Sequence, residues 1–573
     1  MCTTRVMPAG ERPAVTTVVS LLGRASPRST APEGLRDASP YFRGDPVELA
    51  QAADGLGIGV GCLLGAVAIG LGAPGLLLVA AGSGYGATLV ARGGVRTVAA
   101  ARRSRSLGSA PTLVSRAVLR ARLEPTAEAA ASFAAETDGP LGERLAAHVR
   151  RAEGTPRSGL GTFAATWREP FPAFHRALSL VDAAAAAPDG ERHRTLDRAM
   201  DAILEGTRER AADAADALAG PVTAVYAFGV LLPLALVGVL PAAAAAGVHA
   251  TLPAVVLLYD VVLPIGLCGA GMWLLANRPV AFPPARVDRE LVGDTRGPAL
   301  LAGATGATAA LAVAMAFLPV WCWPLAAVGV GTGVALLVWC RPVVEVRNRT
   351  AELEAVLPDA LYLVGRRVSA GVAVERAVAE AARELDGVGR EVFEAAARRQ
   401  RQLGVDVETA FVGEYGALEA VPSRRAESAA RLLGVAAAAG APAGRALAET
   451  ADHLDSLRRV ERDARRDLGR VTATLGNTAA FFGPLVGGAT VALADGIGTA
   501  DALDGSPPAT AGLGLAVGVY VLLMAVVLTA LATGLDRGFD RATVGYRVGG
   551  ALCAATASYL LAFHASGLLT GGL

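Results

Sequence analysis

Nine apolar stretches of about twenty residues constrain the fold of this 573-residue sequence more than any other feature. About 20 helical residues are needed to cross roughly 30 Å of hydrocarbon. Helices are expected because lipid offers no water to backbone N–H and C=O groups. The sequence therefore predicts an all-α, polytopic membrane protein. The predicted spans are 55–72, 74–91, 220–240, 253–276, 298–317, 321–340, 474–494, 511–533 and 548–566.

The distribution of arginine between the connections predicts the orientation of the spans. Basic residues accumulate in short loops on the cytoplasmic side of a membrane. Arginines are concentrated in 92–105, 277–297 and 535–547, whereas basic residues are absent from 241–252, 318–320 and 495–510. We therefore expect a multi-pass protein of the cytoplasmic membrane, with its N-terminus in the cytoplasm and its C-terminus outside.

This orientation divides the chain into membrane segments and polar segments that lie on the cytoplasmic side. We expect a cytoplasmic tail, a pair of spans, a first helical domain, four spans, a second helical domain and three final spans. In that order the segments are 1–54, 55–91, 92–219, 220–340, 341–473 and 474–573.

The second polar segment has the pattern of about six amphipathic helices and no strand. Apolar residues recur at three- and four-residue spacing from Leu353 to Val368, and Gly371 is expected to end that helix. A second helix is predicted from Val374 to Leu385, with its end at Gly387 and Gly389. A third is expected to stop at Gly404, and Asp406, Ser423 and Gly440 are predicted to cap the helices that follow.

The charged residues exclude several classes of function. The 53 basic residues are balanced by 52 acidic ones, which argues against a nucleic-acid-binding protein. Every basic residue is arginine, so the chain has no P-loop lysine and no lysine for a Schiff base. The six cysteines and six histidines lack metal-ligand spacing. We expect no cofactor, no metal and no catalytic site.

An internal repeat relates the two polar segments. Pro111 falls on Pro358 and Gly142 on Gly389 at an offset of 247 residues. With small insertions, further pairs follow at offsets of 248–250: Phe163 and Phe411, Pro172 and Pro422, Gly190 and Gly440, Leu204 and Leu454. The sequence predicts a tandem duplication whose halves have the same orientation, followed by an unpaired ninth helix.

The second polar segment contains a string that resembles a known family. The residues LPDALYLVGRRVSAGVAVERAVAEAA at 357–382, followed by GVGREVFEAAARRQRQLGVDVETAF at 387–411, are similar to the F domain of type II secretion systems. The first polar segment keeps this pattern only in part, at 110–113. Two such domains among nine spans resemble the archaeal membrane platform proteins of type IV pili and the archaellum.

The resemblance implies a role without catalysis. Such a platform anchors a type IV pilus-like, archaellum or secretion machine in the membrane and couples a separate cytoplasmic ATPase to filament assembly. Its implied partners are that assembly ATPase, pilin-like filament subunits, membrane lipids and a second copy in a homodimer. A secondary transporter is the alternative, because a polytopic layout is compatible with it.

The run RRVERDARRDLGR at 458–470 carries six arginines and three acids. It is interpreted either as a solvated helix end that touches anionic lipid or as an acceptor for acidic loops of the ATPase. On the second hypothesis the contacts are Arg458, Arg459, Arg462, Arg465 and Arg466.

Asp260 stands within the fourth predicted span, where a carboxylate is costly and is by default a functional candidate. When Tyr259 is matched to Tyr520 in the repeat, Val521 takes the place of Asp260. A single acid without a basic partner argues against a proton relay. Two readings stay open: a structural, hydrogen-bonded or protonated Asp260, or a role in coupling or subunit contact.

Overall fold

A computed structural model describes residues 107–245, 252–276, 293, 295–499 and 510–570, except 138, 156–157 and 539, together with parts of 51–69 and 81–93. The regular secondary structure of these residues is entirely helical. The predicted all-α class is therefore confirmed. The N-terminal tail lies outside the described residues, and the first two predicted spans lie partly outside them.

Seven helical segments of the described chain are long and apolar enough to cross a membrane, so the chain is a multi-pass membrane protein. Each covers one of the last seven spans predicted from the sequence, to within one residue at either end. They are Gly190–Val239, Leu252–Ala276, Arg296–Phe317, Cys322–Ser369, Ala443–Asp495, Ala511–Asp536 and Arg541–Leu569.

The first polar bundle packs five short helices against the start of a long one. The short helices are α1 (Ala110–Leu123), α2 (Ala127–Ala135), α3 (Pro140–Ala152), α4 (Gly159–Ala165) and α5 (Pro172–Ala185). The long helix α6 (Asp189–Tyr226) continues through a π turn at Ala227–Leu231 into α7 (Leu232–Ala245).

Two pairs of apolar helices follow the first bundle. α8 (Leu252–Val256) passes through a π turn at Leu257–Val262 into α9 (Leu263–Ala276). The next pair is α10 (Arg296–Phe317) and α11 (Cys322–Ser369). α11 contains 48 residues and is therefore about 72 Å long. It includes Pro342 and Pro358 and joins the sixth predicted span to the first helix of the second polar bundle without a break.

The second polar bundle has the six helices that were predicted. The end of α11 packs with α12 (Val374–Glu384), α13 (Gly387–Leu403), α14 (Val407–Val412), α15 (Arg424–Ala439) and the start of α16 (Ala441–Asn477). α16 continues through a π turn at Thr478–Phe482 into α17 (Gly483–Thr499). The chain ends with α18 (Thr510–Arg537) and α19 (Arg541–Thr570).

Most predicted helix ends in the second bundle are confirmed. α11 ends two residues before Gly371, and Gly404 takes the left-handed conformation that ends α13. Asp406 caps α14 by accepting the Thr409 N–H at 2.6 Å, and Ser423 caps α15 by accepting the Ala426 N–H at 3.2 Å.

The predicted helix from Val374 to Leu385 is confirmed to within one residue, but the role predicted for the glycines that follow it is wrong. Gly387 and Gly389 do not stop α12, because they are the first and third residues of α13. A β-carbon at Gly389 would meet the Val356 side chain at 3.0 Å, so this glycine serves the close approach of α13 to α11.

Candidate functional site

The predicted arginine run lies on the half of α16 nearest the membrane, and its members differ in their surroundings. Arg458 is partly buried, and its guanidinium donates a hydrogen bond to the Ala355 carbonyl on α11. Arg465 is exposed and lies 4.0 Å from Glu461. Arg458 therefore joins two helices of the second bundle, whereas Arg465 faces solvent.

The remaining exposed arginines form one stripe along α16, which we call the arginine stripe. Its members are spaced three, four and four residues apart, which places them on one face of a helix. They are Arg459, Arg462, Arg466 and Arg470.

Among the described residues, the ion pairs that the arginine stripe makes are weak contacts within α16. Arg459 donates to Asp455 at 2.9 Å, and Arg462 lies 3.8 Å from the same carboxylate. Arg466 makes no ion pair among the described residues. Exposed pairs of this kind contribute only about 0–1 kcal/mol. The stripe is therefore available to an acidic surface or to anionic lipid.

A partly buried ion-pair cluster lies beside the run. Arg425 on α15 contacts Glu461 on α16 at 3.2 Å and Glu354 on α11 at 3.4 Å. Ser423 donates to the second oxygen of Glu354 at 2.8 Å. The Glu461 side chain is only 8% exposed. One guanidinium thus links three helices of the second bundle.

Electrostatics keep this cluster charged. Burial alone would lower the pKa of Arg425, but Glu461 and Glu354 outweigh burial and raise it. Arg458 responds in the opposite way, because burial and the neighbouring Arg462 and Arg425 lower its pKa. Arg425 is thus the cation that balances the two acids, and Arg458 is the surplus one.

A second polar contact joins the two polar bundles. Arg122 of the first bundle pairs with Asp197 on α6 and with Glu449 on α16. Leu457 and Val460 of α16 belong to the apolar core of the first bundle. α16 therefore packs against both bundles and holds them together.

His453 lies at this contact between the two bundles and donates one hydrogen bond there from its Nδ1–H. Its Nδ1 lies 2.6 Å from the Glu449 carbonyl. Burial, with help from Arg122, lowers the pKa of His453, and Asp197 opposes this shift only in part. The contact between the two bundles therefore favours the neutral imidazole of His453.

Sequence reasoning missed Arg425, Arg122 and Glu461. A signal existed only for Glu461: it lies four residues after Leu457 and three before Ala464, and so interrupts the buried stripe of α16. Arg122 and Arg425 have ordinary spacing on amphipathic helices, and their partners are distant in sequence.

Asp260 lies in the π turn between α8 and α9, a kind of turn that is common at functional sites. Its side chain is partly buried, and Oδ1 has no hydrogen-bond partner in the part of the chain described. The neighbouring Tyr259 donates to the Pro233 carbonyl at 2.6 Å. Tyr259 also packs edge to face on Tyr520, with ring centres 5.5 Å apart. The two tyrosines that the repeat matched are thus in direct contact.

Each of the three π turns in the described part of the chain is followed by a residue that closes the turn and then by a proline. The prolines are Pro233, Pro264 and Pro484. Proline has no N–H for the carbonyl four residues earlier. The Tyr520 hydroxyl donates to that carbonyl at Gly229, and the Ser558 hydroxyl lies 3.5 Å from the corresponding one at Ala480. Side chains of other helices therefore replace lost backbone bonds inside the membrane.

The described residues contain no group of three or more His, Cys, Asp and Glu side chains that could hold a metal ion. Comparison with known proteins gave no match to a family model, a characterised protein or a solved structure. Any function has to be argued from the arrangement of the chain itself.

Proposed function

We propose that this protein is the integral membrane platform of a type IV pilus-like, archaellum or secretion machine. It anchors the machine and couples a separate cytoplasmic ATPase to the assembly of filament subunits. The observation that carries the proposal is the continuity of three helical paths, α6 to α7, α11, and α16 to α17, each of which leads from a polar bundle into a membrane-crossing segment. A force applied to either bundle would reach the membrane through continuous helices.

A tandem duplication is part of this proposal, and the order of the helices supports it. In each bundle, four shorter helices stand between the first helix and the long final helix that leads to the membrane. Phe163 and Phe411, which the repeat matches, are both buried.

The membrane segments give independent support for the duplication. The π turns at Ala227–Leu231 and Thr478–Phe482 lie 251 residues apart, and so do Pro233 and Pro484. Because such turns are rare in helices, a shared position favours common origin. With the predicted spans 55–72 and 74–91, each half would have two spans, a bundle and two spans, followed by a ninth helix.

The cytoplasmic location of both bundles rests on the arginine-rich connections. Labelling from outside the cell tests it with single cysteines placed in a cysteine-free background. Ser506→Cys, in the predicted outer connection 495–510, should react with a membrane-impermeant maleimide in intact cells. Ser104→Cys, in the connection 92–105, should react only after the cells are opened. The reverse pattern would invert the topology and refute the platform.

The ATPase contact is proposed on the exposed part of the arginine run, where an acidic loop would gain steering and specificity. The test is co-purification of the assembly ATPase with the full chain and counting of surface filaments by electron microscopy. Arg462→Glu/Arg465→Glu/Arg466→Glu should reduce co-purification while membrane insertion persists, and so should Arg465→Glu alone, which changes only an exposed arginine that is not needed for contact with a second copy of the chain.

The matched control is Arg398→Glu/Arg401→Glu on α13, where both arginines are also exposed. Undiminished ATPase binding by both α16 variants would remove the arginine contact. The transporter would be favoured instead if cells that lack this protein keep normal filaments and if the protein gives substrate-dependent uptake into vesicles.

A further inference from the structure

α6 and α16 run side by side toward the membrane in a fixed register. Ala211 of α6 and Ala464 of α16 are buried against each other. Ala215 and Leu468, four residues further along each helix, both belong to the apolar core that extends into the membrane. Residues of α6 therefore lie at the same height above the membrane as residues of α16 numbered 253 higher.

α6 carries a stripe of exposed acids on its half nearest the membrane, which we call the acidic stripe. The acids are spaced four, four and three residues apart: Glu205, Glu209, Asp213 and Asp216. Glu205 is paired with Arg208 at 3.1 Å, but the other three have no ion-pair partner among the described residues. This face of α6 thus presents uncompensated negative charge.

The acidic stripe and the arginine stripe match in height, position by position. The offset of 253 places Glu209 level with Arg462 and Asp213 level with Arg466. Glu205 and Asp216 fall within one residue of the levels of Arg459 and Arg470. Eight residues of opposite charge therefore form four levels, two of them at equal heights and two offset by one residue, or about 1.5 Å.

The two stripes of one chain cannot pair with each other. At about 100° per residue, the acids lie roughly 120–200° around α6 from Ala211, and the arginines roughly 160–240° around α16 from Ala464. Each stripe therefore points away from the neighbouring helix of its own chain. Ion pairs between α6 and α16 are accordingly absent among the described residues of these stripes.

We propose that these stripes are the contact surface for a second copy of this chain. Two copies in one membrane have the same orientation, so their α6 and α16 helices keep equal heights. A two-fold axis normal to the membrane places α6 of one copy beside α16 of the other, twice. Both stripes then flank the same seam, as the charged flanking positions of a coiled coil do.

Charge chemistry favours this occupant of the two stripes over anionic lipid or an acidic protein, and Arg465, which is exposed but lies outside the arginine stripe, stays available to the ATPase. Lipid or an acidic protein would engage the arginine stripe and leave the acidic stripe uncompensated. A second copy engages both, at matching heights, and the pairs set register and specificity more than affinity. The inference rests on one element of the proposed function, namely that both bundles lie on one side of one membrane, and it does not require the ATPase.

Charge reversal on the purified full chain tests the seam in lipid nanodiscs, without any ATPase, with mass photometry as the readout. The acid-reversed variant is Glu209→Arg/Asp213→Arg, and the arginine-reversed variant is Arg462→Glu/Arg466→Glu. Each variant alone places like charges across both seams, so its homodimer should weaken by at least about tenfold. Raising the salt concentration should weaken the wild-type dimer, because exposed pairs are screened.

The two variants mixed together should form a heterodimer. One of its seams carries the wild-type pairs and the other carries the same pairs reversed, so both attract. A role of these residues within a single chain would not produce this rescue. The Arg398→Glu/Arg401→Glu variant on α13 serves as the control and should dimerise like the wild type.

A monomeric wild-type chain, unchanged homodimers of both variants, or a mixture without heterodimer would each overturn the proposal. None of these outcomes depends on filament assembly or ATPase binding. Failure of this surface and failure of the platform function are therefore distinguishable.

Discussion

Replacing Arg425 by methionine tests whether the partly buried ion-pair cluster holds the second polar bundle together. The guanidinium contacts Glu461 at 3.2 Å and Glu354 at 3.4 Å, and these acids lie on two different helices. Methionine keeps most of the apolar stem but removes the charge. The Glu461 side chain, 8% exposed, is then left buried, and Arg465 at 4.0 Å is its remaining ion-pair partner among the described residues.

The magnitude follows from the exposure of the three side chains. Removing one partner of a fully buried pair costs about 3–5 kcal/mol, whereas an exposed pair contributes about 0–1 kcal/mol. Because Arg425 is 32% and Glu354 21% exposed, solvent screens part of the loss. We expect a cost of about 2–3 kcal/mol, which corresponds to roughly 30–150-fold in a local opening equilibrium.

Hydrogen exchange of the full chain in nanodiscs, read by mass spectrometry, measures this equilibrium segment by segment. Amides of α15 and of α16 near Glu461 should exchange roughly 30–150-fold faster, with little change in the membrane helices. Arg431→Met is the matched control, because that arginine on α15 is 53% exposed and lies 4.0 Å from Glu408. It should change exchange by less than about fivefold.

A companion variant separates the lost charge from lost packing. Arg425→Met/Glu461→Leu removes both charges and should recover much of the protection, because a buried pair can often be replaced by apolar residues. Equal effects of Arg425→Met and Arg431→Met, or no recovery in the double variant, would refute the reasoning.

Three further outcomes are expected. His453 has a lowered pKa in the folded chain, so the unfolded chain binds a proton first, and the contact between the two bundles should lose stability as pH falls below about 6.5. His453→Gln should flatten that part of the pH dependence of the exchange rates, and an unchanged slope would contradict the assignment. Gly333→Val should destabilise the packing of α11 on α19 by about 1–3 kcal/mol, since a β-carbon there would lie 2.8 Å from the Gly549 carbonyl, whereas Gly550→Val points into open space and should leave thermal unfolding in detergent unchanged. Asp260→Asn should preserve protein level and filament number if the acid is structural; loss of filaments at a normal protein level would instead assign it to coupling or subunit contact.

Periodicity and length were sufficient to predict the membrane helices in the described chain. The helix caps Asp406 and Ser423 were predictable because their bonds to Thr409 and Ala426 are local. Gly387 and Gly389 misled because glycine near a helix boundary marks a stop as readily as a close approach. Only the packing of α13 on α11 distinguishes these two roles.

The candidate site was less predictable because its contacts join distant parts of the chain. Arg122 reaches Glu449 across 327 residues, and no local pattern records that distance. The arginine run was visible as composition, but its division into an inward Arg458 and an outward stripe depends on where α11 lies. The match between acidic and basic stripes depends on the register of Ala211 with Ala464, which also becomes apparent only in three dimensions.

Pro342 makes the long helix α11 easier to bend at that position. It follows the last residue of the predicted sixth span by two positions, and it leaves the Val338 carbonyl without its usual N–H partner. The 27 residues from Pro342 that remain to Ser369 extend about 40 Å from it, so a bend of about 5° there would move the far end by about 3.5 Å. A small bend at Pro342, near the predicted membrane boundary, would therefore become a displacement of several ångströms at the end of α11 in the second polar bundle.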